Sequence, residues 1–319
     1  MEKQRATYRV QNWSEYNKSL INRGNISLWF SDDLNDSVSK IEQTGKQGRP
    51  KQYSDALIEM CLSIKYLYKL TYRATQGFAI SILKALKLDV SIPSYTQMSR
   101  RAKTLHLQLY RVSKSSGSID IAIDSTGLKV FGEGEWKVRK HGADSRRTWR
   151  KLHLGVDPLS HEIVASVMTD NSHSDSQVFD ELLDQIDDTI DRCFADGAYD
   201  TGNCYEACFE RKTVLVTPPR INATKDLPCP EHLLPRNEAI DRISVLDNTC
   251  DDAREQWKLE ADYHCRSISE TAMFRFKKLF GGDLISRHQE SQKIEVQMKI
   301  NLMNKMTALG MPQTMVNYA

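Results

Sequence analysis

The order of short apolar runs between residues 119 and 217 restricts the fold more than any other feature. Apolar and polar residues alternate within these runs, as is typical of strands. Segments with helical spacing of their apolar residues lie between the later runs, so the predicted order is β-β-β-α-β-α-β. The first three strands follow one another without a helix, which predicts antiparallel pairing, and a right-handed crossover would place the fourth strand beside the first. We therefore predict an α/β fold with a mixed five-stranded sheet and flanking helices. The strands are predicted at 119–124, followed by a turn at 125–127, and at 151–157, 162–168, 192–196 and 213–217.

The segments around this sheet differ in composition. Residues 1–44 combine a basic arm, a short helix that begins at Asn12 or Ser14 and a short strand at 26–30, and residues 45–117 hold a basic Gly/Pro linker and three short helices. The last of these carries Arg100 and Arg101, as in a helix-turn-helix DNA-binding domain, although a plain helical bundle explains the same pattern. The predicted domains are 1–44, 45–117, a core at 118–218, an insertion at 219–262, and a final helix with a C-terminal helical segment at 263–319.

Charge is distributed unevenly along the chain. Residues 1–118 hold 19 Lys and Arg against 9 Asp and Glu, whereas residues 119–319 hold 25 against 33, although the net charge is only +2. This asymmetry is typical of a polyanion-binding module joined to a unit that concentrates carboxylates. A further basic stretch lies at 129–151, where DNA contact and a solvated loop are equally good explanations. Its candidate DNA-binding residues are Lys129, Arg139, Lys140, Arg146 and Arg147.

Composition disfavours several classes of protein. There is no run of about 18 apolar residues and no apolar segment near the N-terminus, so we expect neither a transmembrane helix nor a secretory signal. Seven cysteines without a Cys-x-x-Cys pair indicate reduced thiols in a cytoplasm rather than disulfides or a zinc site. Cys204 and Cys208 fit a buried helical pair.

Three acidic residues are predicted to meet at one edge of the sheet. Asp124 closes the first strand beside the turn at 125–127, Asp196 closes the fourth strand, and Glu270 lies on the final helix. Asp120 shares the strand parity of Asp124, but Asp124 is preferred because it adjoins the turn. Clustered carboxylates repel one another unless cations lie between them, and their oxygens are ligands that Mg²⁺ or Mn²⁺ prefers. We therefore predict Asp124, Asp196 and Glu270 as metal ligands and catalytic residues of a two-metal site.

The final helix carries cations on the same side as its carboxylate. At about 100° per residue, an arc of roughly 60° contains Tyr263, Arg266, Glu270 and Lys277. An ordinary amphipathic helix with a weak i,i+4 Arg–Glu ion pair gives the same pattern. The predicted cluster favours a functional site, because it supplies partners for Glu270 and an anionic ligand for the two cations.

These motifs resemble those of the DDE transposases of bacterial insertion sequences. The offsets from Tyr263 to Lys277 match the Tyr-Arg-Glu-Lys signature of that group, and the segments 123–129 and 195–199 resemble its first two acidic motifs. The Asn-Trp-x-x-Tyr-Asn element at 12–17 is similar to that of insertion-sequence family five. The resemblance covers nearly the whole chain, and four residue types at fixed offsets are improbable by chance.

The resemblance implies an RNase H-like core whose Asp124, Asp196 and Glu270 bind Mg²⁺, with Mn²⁺ as a substitute. It implies that Tyr263, Arg266 and Lys277 hold double-stranded DNA near the cleaved end. A nucleoid-associated enzyme of this kind binds terminal inverted repeats, pairs two ends as a homodimer or higher oligomer, cuts them and joins the 3′ ends to target DNA. In similar transposases an aromatic residue of the insertion holds a flipped base, and Trp257 is the candidate here.

Two other functions share these motifs. One is a DNA-binding protein that keeps the fold without catalysis, such as a repressor of its own element, and the other is a nuclease that cuts without joining. Mg²⁺-dependent cleavage of a labelled terminal repeat separates the first from a transposase. Strand transfer with pre-cleaved ends separates the second.

Overall fold

The computed structural model describes residues 6–25, 52–88, 90–112, 117–130, 149–249 and 251–318. The chain divides into two compact units, one of residues 1–112 with 293–319 and one of residues 113–292. The predicted strand at 26–30 lies outside the described residues. Within the described ranges, no helix has both the length and the apolar character that a membrane crossing requires.

In its described residues up to 112, the first unit has a strand followed by four helices. Polar caps explain where three of the helices start, because the side chains of Ser54, Thr71 and Ser94 each accept a hydrogen bond from a backbone N–H of the first turn. The three helices predicted after residue 53 are thereby confirmed as elements. The bounds are β1 (Ala6–Val10), α1 (Trp13–Asn22), α2 (Asp55–Leu67), α3 (Tyr72–Ala85) and α4 (Tyr95–Arg101).

The second unit is built on a mixed sheet that begins with an antiparallel meander. The first strand pairs with the second, placing Asp124 opposite Leu154, and the second pairs with the third. Ile121 and Ile123 of the first strand are fully buried, as the predicted alternation requires. The meander consists of β2 (Ile119–Val130), β3 (Trp149–Val156) and β4 (Ile163–Asp170).

Two crossovers add two more strands to the sheet. The fourth strand lies beside the first, which confirms the prediction. The path is β4-β3-β2-β5-β6, with β2, β5 and β6 parallel to one another. The helix predicted between the third and fourth strands is short, because a 3-10 turn (Asp175–Gln177) precedes a helix of five residues. The elements are α5 (Phe179–Leu183), β5 (Ile190–Phe194), α6 (Gly202–Glu210) and β6 (Val214–Val216).

Residues 219–262 contain two helices that the sequence did not reveal, α7 (Leu234–Leu246) and α8 (Ala253–Glu260). They build a small core with strands β5 and β6. Trp257 belongs to this core and is only 7% exposed, packed with Phe194 and Val216. Its ring is therefore not presented to a DNA base, and the proposed base-holding role of Trp257 is wrong for this structure.

The final helix starts later than predicted. Residues Tyr263–Arg266 form a 3-10 turn, and α9 (Ser267–Phe280) follows it. A 3-10 turn advances about 120° per residue, so Tyr263 departs from the common face that a continuous α-helix would give it. A short strand, β7 (Asp283–Leu284), then pairs in parallel with the end of β2.

The C-terminal elements are α10 (Gln289–Ala308) and β8 (Thr314–Tyr318). The two termini of the chain meet in the first unit, where β8 pairs antiparallel with β1. The predicted C-terminal helical segment is confirmed by α10, which buries Met298, Met303 and Met306. The helix also buries an ion pair, Glu295 with Lys299 at 2.7 Å, that the periodicity did not indicate.

Candidate active site

Asp124 lies in the middle of β2 and not at its end, so that detail of the prediction is wrong. Its position is nevertheless open, because the parallel neighbour β5 pairs with β2 only as far as Ala122 and β7 pairs from Lys129 onward. Between these points, no strand of the described ranges pairs with this edge of β2. Gly127, predicted as a turn residue, lies in the strand against the ring of Trp149, where an added Cβ would approach to 3.2 Å.

Asp196 lies two residues beyond β5, in a turn that its own side chain stabilises. Its Oδ1 accepts a hydrogen bond from the Ala198 N–H at 2.9 Å, and its carbonyl oxygen accepts one from the Thr217 hydroxyl. These contacts fix the 3-10 turn Gly197–Tyr199. The second Asp196 carboxylate oxygen, Oδ2, lies on the side of Arg266, 3.8 Å from its Nη2.

Arg266 joins the three predicted acids. Its Nη2 lies 2.8 Å from Oδ2 of Asp124 and 3.8 Å from Oδ2 of Asp196, while its Nη1 donates a hydrogen bond to Glu270. The remaining guanidinium nitrogen, Nε, is buried and has no hydrogen-bond partner in the described part of the chain. The structure therefore brings Asp124, Asp196 and Glu270 together around one cation, from a strand, a turn and a helix.

The electrostatics of the cluster follow from burial and mutual charge. Burial raises the pKa of Asp124, and Asp196 and Glu270 raise it further, against the lowering effects of Arg266 and of the Ser125 N–H bond. Burial alone would lower the pKa of Arg266. The nearby Asp124, Tyr263, Glu270 and Asp196 have the larger combined effect, so the pKa of Arg266 is raised. Asp124 is 15% exposed and Glu270 57%, so the cluster opens toward solvent on the side of Glu270.

The carboxylates of Asp124, Asp196 and Glu270 fit a hard divalent cation, because such cations prefer oxygen ligands. Among the described residues, no three His, Cys, Asp or Glu side chains stand at metal-binding distance from one another. The acids converge on the Arg266 guanidinium instead. Cys204 and Cys208 are both buried in α6, as predicted.

A second polar cluster behind Asp124 was missed. The carboxylate of Asp175 lies 3.0 Å from Lys151 Nζ and 3.4 Å from Nδ1 of His153, and it accepts a hydrogen bond from the Ser125 hydroxyl. Burial raises the pKa of Asp175, but the bonds from Ser125 and Lys151 outweigh it and hold the pKa low. Burial lowers the pKa of His153 to about 4. Tyr199 also faces this cluster, and its buried hydroxyl has no hydrogen-bond partner among the described residues.

This cluster could have been found only in part from the sequence. Asp175 follows Ser174 at the start of a 3-10 turn, where a pattern of this kind indicates a cap rather than a buried cluster. Lys151 and His153 share a strand parity, which places them on one face of β3. What the sequence did not show is that Asp175 lies against that face.

Two ion-pair clamps hold the elements that carry the site. Arg192 of β5 binds Asp120 at 2.7 Å and Asp262 at 3.1 Å, so the residue just before the Tyr263–Arg266 turn is tied to the sheet. The alternative acid Asp120 is therefore engaged by Arg192 rather than by Arg266. The second clamp joins Arg236 of α7 to Asp200, whose carboxylate is fully buried, at 2.8 Å.

The predicted DNA-binding residues fall into three groups. Tyr263 packs against Trp257 with ring centroids 6.3 Å apart, and Lys129 lies over the ring of Trp149, while Lys277 is exposed. Arg101 is bound to Asp55 within the first unit, whereas Arg100 is exposed. Outside the described residues lie Arg139, Lys140, Arg146 and Arg147.

Comparison with known proteins identifies the family. Two family models, both described as a transposase DDE domain, match residues 21–133 and 115–304. Among solved structures, the chain is similar to a piggyBac transposase in a synaptic complex with hairpin DNA, with a TM-score of 0.44 and 10% identity over 91% of this chain and 74% of that one. The longer family match spans more than half of the chain and includes Asp124, Asp196 and Glu270. The chain therefore belongs to the DDE transposase family.

Proposed function

We propose that this chain is the transposase of a bacterial insertion sequence, carrying the Tyr-Arg-Glu-Lys signature and resembling insertion-sequence family five. The observation that carries the proposal is the convergence of Asp124, Asp196 and Glu270 on Arg266 from three separate elements. The strand order β4-β3-β2-β5-β6 supports an RNase H-like fold for the second unit. On this proposal the enzyme acts on double-stranded DNA in the bacterial nucleoid as a homodimer or higher oligomer.

The carboxylates would hold two divalent cations, Mg²⁺ in the cell. When bound, such ions activate an attacking oxygen and stabilise the leaving oxygen of a phosphodiester. Only the oxygen ligands of Asp124, Asp196 and Glu270 are assigned to them. DDE transposases in general use divalent metal ions, which agrees with this assignment.

The remaining groups would bind and orient the DNA. Arg266 carries its charge at the centre of the cluster, so its guanidinium can hold a phosphodiester oxygen once the carboxylates have other partners. Lys277 extends from the exposed side of the same helix and adds a second cation for the backbone. Their positions would hold the end of each inverted repeat for cleavage and for joining of its 3′ hydroxyl to target DNA.

Two substitutions test the proposal directly. Asp124→Asn and Glu270→Gln remove negative charge without changing side-chain size, so both variants should keep their affinity for a labelled terminal repeat in a gel-shift assay. Mg²⁺-dependent cleavage of that repeat should fall by more than about 100-fold, the loss seen even for groups that only orient metal ligands.

Matched controls are Asp191→Asn and Glu206→Gln, which change exposed carboxylates of the same unit. They should cleave at the wild-type rate. Pre-cleaved ends then test joining in a strand-transfer assay. Normal cleavage by both Asp124→Asn and Glu270→Gln would overturn the site, and cleavage without strand transfer would indicate a nuclease. A wild-type protein that binds ends without cutting them would indicate a repressor.

A further inference from the structure

The exposed face of α9 contains one large apolar side chain among polar ones. Phe274 is 67% exposed, whereas Phe276 and Phe280 of the same helix are buried. Burying such a ring is favourable, so exposure on an otherwise polar face needs a reason outside the helix itself. The exposed residues of this face are Ser267, Glu270, Thr271, Phe274, Lys277 and Lys278.

Phe274 is close to the carboxylate cluster along the helix. It follows Glu270 by four residues and precedes Lys277 by three, which places all three side chains on one side of α9. The rise from Glu270 to Phe274 is about 6 Å at 1.5 Å per residue. A molecule that is held at Glu270 therefore has the Phe274 ring within reach, about 6 Å further along the helix.

The surroundings of the ring define what can cover it. Lys277 and Lys278 follow it on the exposed face, so an occupant with negative charge is favoured. A single aromatic ring among polar side chains is smaller than the contiguous apolar patch that marks a protein–protein interface. Nucleic acid combines a phosphate backbone with flat apolar bases, and a base stacks on an aromatic side chain whatever its sequence.

We propose that Phe274 is a base-stacking residue, which holds an unstacked base of the DNA strand bound at Glu270. This inference rests on the proposed function, since it needs DNA at the carboxylate cluster. It assigns separate roles along one helix face, with Glu270 at the reacting phosphate, Phe274 at the adjacent base and Lys277 at the backbone beyond it.

The test uses the full-length protein and terminal-repeat duplexes that carry 2-aminopurine, a fluorescent base, at successive positions around the cut. Measurements without divalent cation prevent cleavage. Wild type should change the fluorescence at one position, and Phe274→Ala should abolish that change and bind a duplex with an unpaired base there about tenfold more weakly. Phe274→Trp should restore both, because tryptophan also presents an aromatic face.

Phe209→Ala is the matched control, since Phe209 is also exposed, at 49%, but lies on α6. It should leave the fluorescence and the binding unchanged. Equal binding by Phe274→Ala and wild type would overturn the inference. Loss of a dimer by Phe274→Ala in gel filtration would also overturn it, because the ring would then contact a second copy of the chain. A large drop in the stability of this variant would overturn it too, because the ring would then pack within the chain.

The outcomes for Phe274 and for the proposed function are distinguishable. If wild type cleaves the repeat with Mg²⁺ while Phe274→Ala gives the wild-type fluorescence change, only the stacking role fails. If wild type neither binds nor cleaves a terminal repeat, the proposed function fails and the stacking role fails with it.

Discussion

At the scale of single residues, Arg266 is the positive charge that holds three carboxylates together. Without it, Asp124, Asp196 and Glu270 would repel one another. The guanidinium contacts all three and offsets part of that repulsion. It also lies at the point on which these oxygens converge, so on the proposed function a divalent cation would compete with Arg266 for the same carboxylates.

This competition gives a prediction that runs against the usual effect of removing a residue from a site. Arg266→Ala should bind Mn²⁺ or Mg²⁺ more tightly than wild type in the absence of DNA, by about tenfold if it removes a competing interaction worth about 1.4 kcal/mol. The same variant should bind terminal-repeat DNA more weakly. Isothermal titration calorimetry with each cation, and a gel shift for the DNA, measure the two effects.

Lys277→Ala is the control for charge alone. It removes one positive charge from the same helix, and Lys277 forms no ion pair within the described part of the chain. Its metal affinity should equal that of wild type, while its DNA affinity falls. An equal gain of metal affinity in both variants would show a general charge effect, and unchanged affinity in Arg266→Ala would show that the guanidinium does not compete.

At the scale of elements, the insertion is fastened to the turn that carries Asp196. Asp200 lies four residues after Asp196, and its buried carboxylate binds Nε of Arg236 and accepts a hydrogen bond from the Arg220 N–H at 3.0 Å. Arg236 in turn binds Asp226 at 2.9 Å and the Thr224 carbonyl oxygen. One arginine of α7 thus holds the beginning of the insertion against the site.

Arg236→Met should destabilise the protein because it leaves the buried Asp200 carboxylate without its cation. The expected loss is about 3 kcal/mol in the free energy of unfolding. Urea denaturation measures it from the unfolding transition of the second unit. Asp226→Asn removes the exposed partner of the same arginine and should cost less than about 1 kcal/mol. Equal losses in the two variants would show that burial of the Asp200 pair does not matter.

The sequence predicted those elements whose signal is local. Alternation along β2, β3 and β4 identified the meander, and local helical patterns identified α2, α3 and α4, because both signals lie within a few residues. The crossover rule then placed β5 beside β2, which the parallel register confirms. The three acids were found because each lies next to or within such an element.

What the sequence could not predict depends on neighbours that are distant along the chain. Asp124 lies in mid-strand and is accessible because β5 ends beside it, which is a property of another strand. Trp257 is buried by strands some forty or more residues earlier. The helix α7 has weak apolar periodicity, and α8 is only eight residues long, so neither gives a long periodic signal. Asp175 approaches Lys151 and His153 only through the folded sheet.

At the scale of the whole molecule, the uneven charge determines how DNA affinity should respond to salt. The first 118 residues carry 19 Lys and Arg against 9 Asp and Glu, and the stretch 129–151 adds further cations. Each phosphate that these side chains neutralise releases counterions, so the logarithm of affinity falls linearly with the logarithm of salt concentration. With six or more phosphate contacts, affinity for a terminal repeat should fall about a thousandfold or more between roughly 50 and 200 mM salt.

Substitutions in the basic stretch test which cations contribute. Arg139→Gln together with Lys140→Gln should reduce the salt slope by about two, one for each lost phosphate contact, and weaken binding to specific and non-specific DNA alike. Lys225→Gln is the control, because Lys225 pairs with Asp241 in the insertion at 2.8 Å and should leave the slope unchanged. Fluorescence anisotropy over a salt series gives the slope for each variant. A flat salt dependence in wild type would show that phosphate contacts do not dominate binding, and an unchanged slope in the double variant would place the DNA elsewhere on the chain.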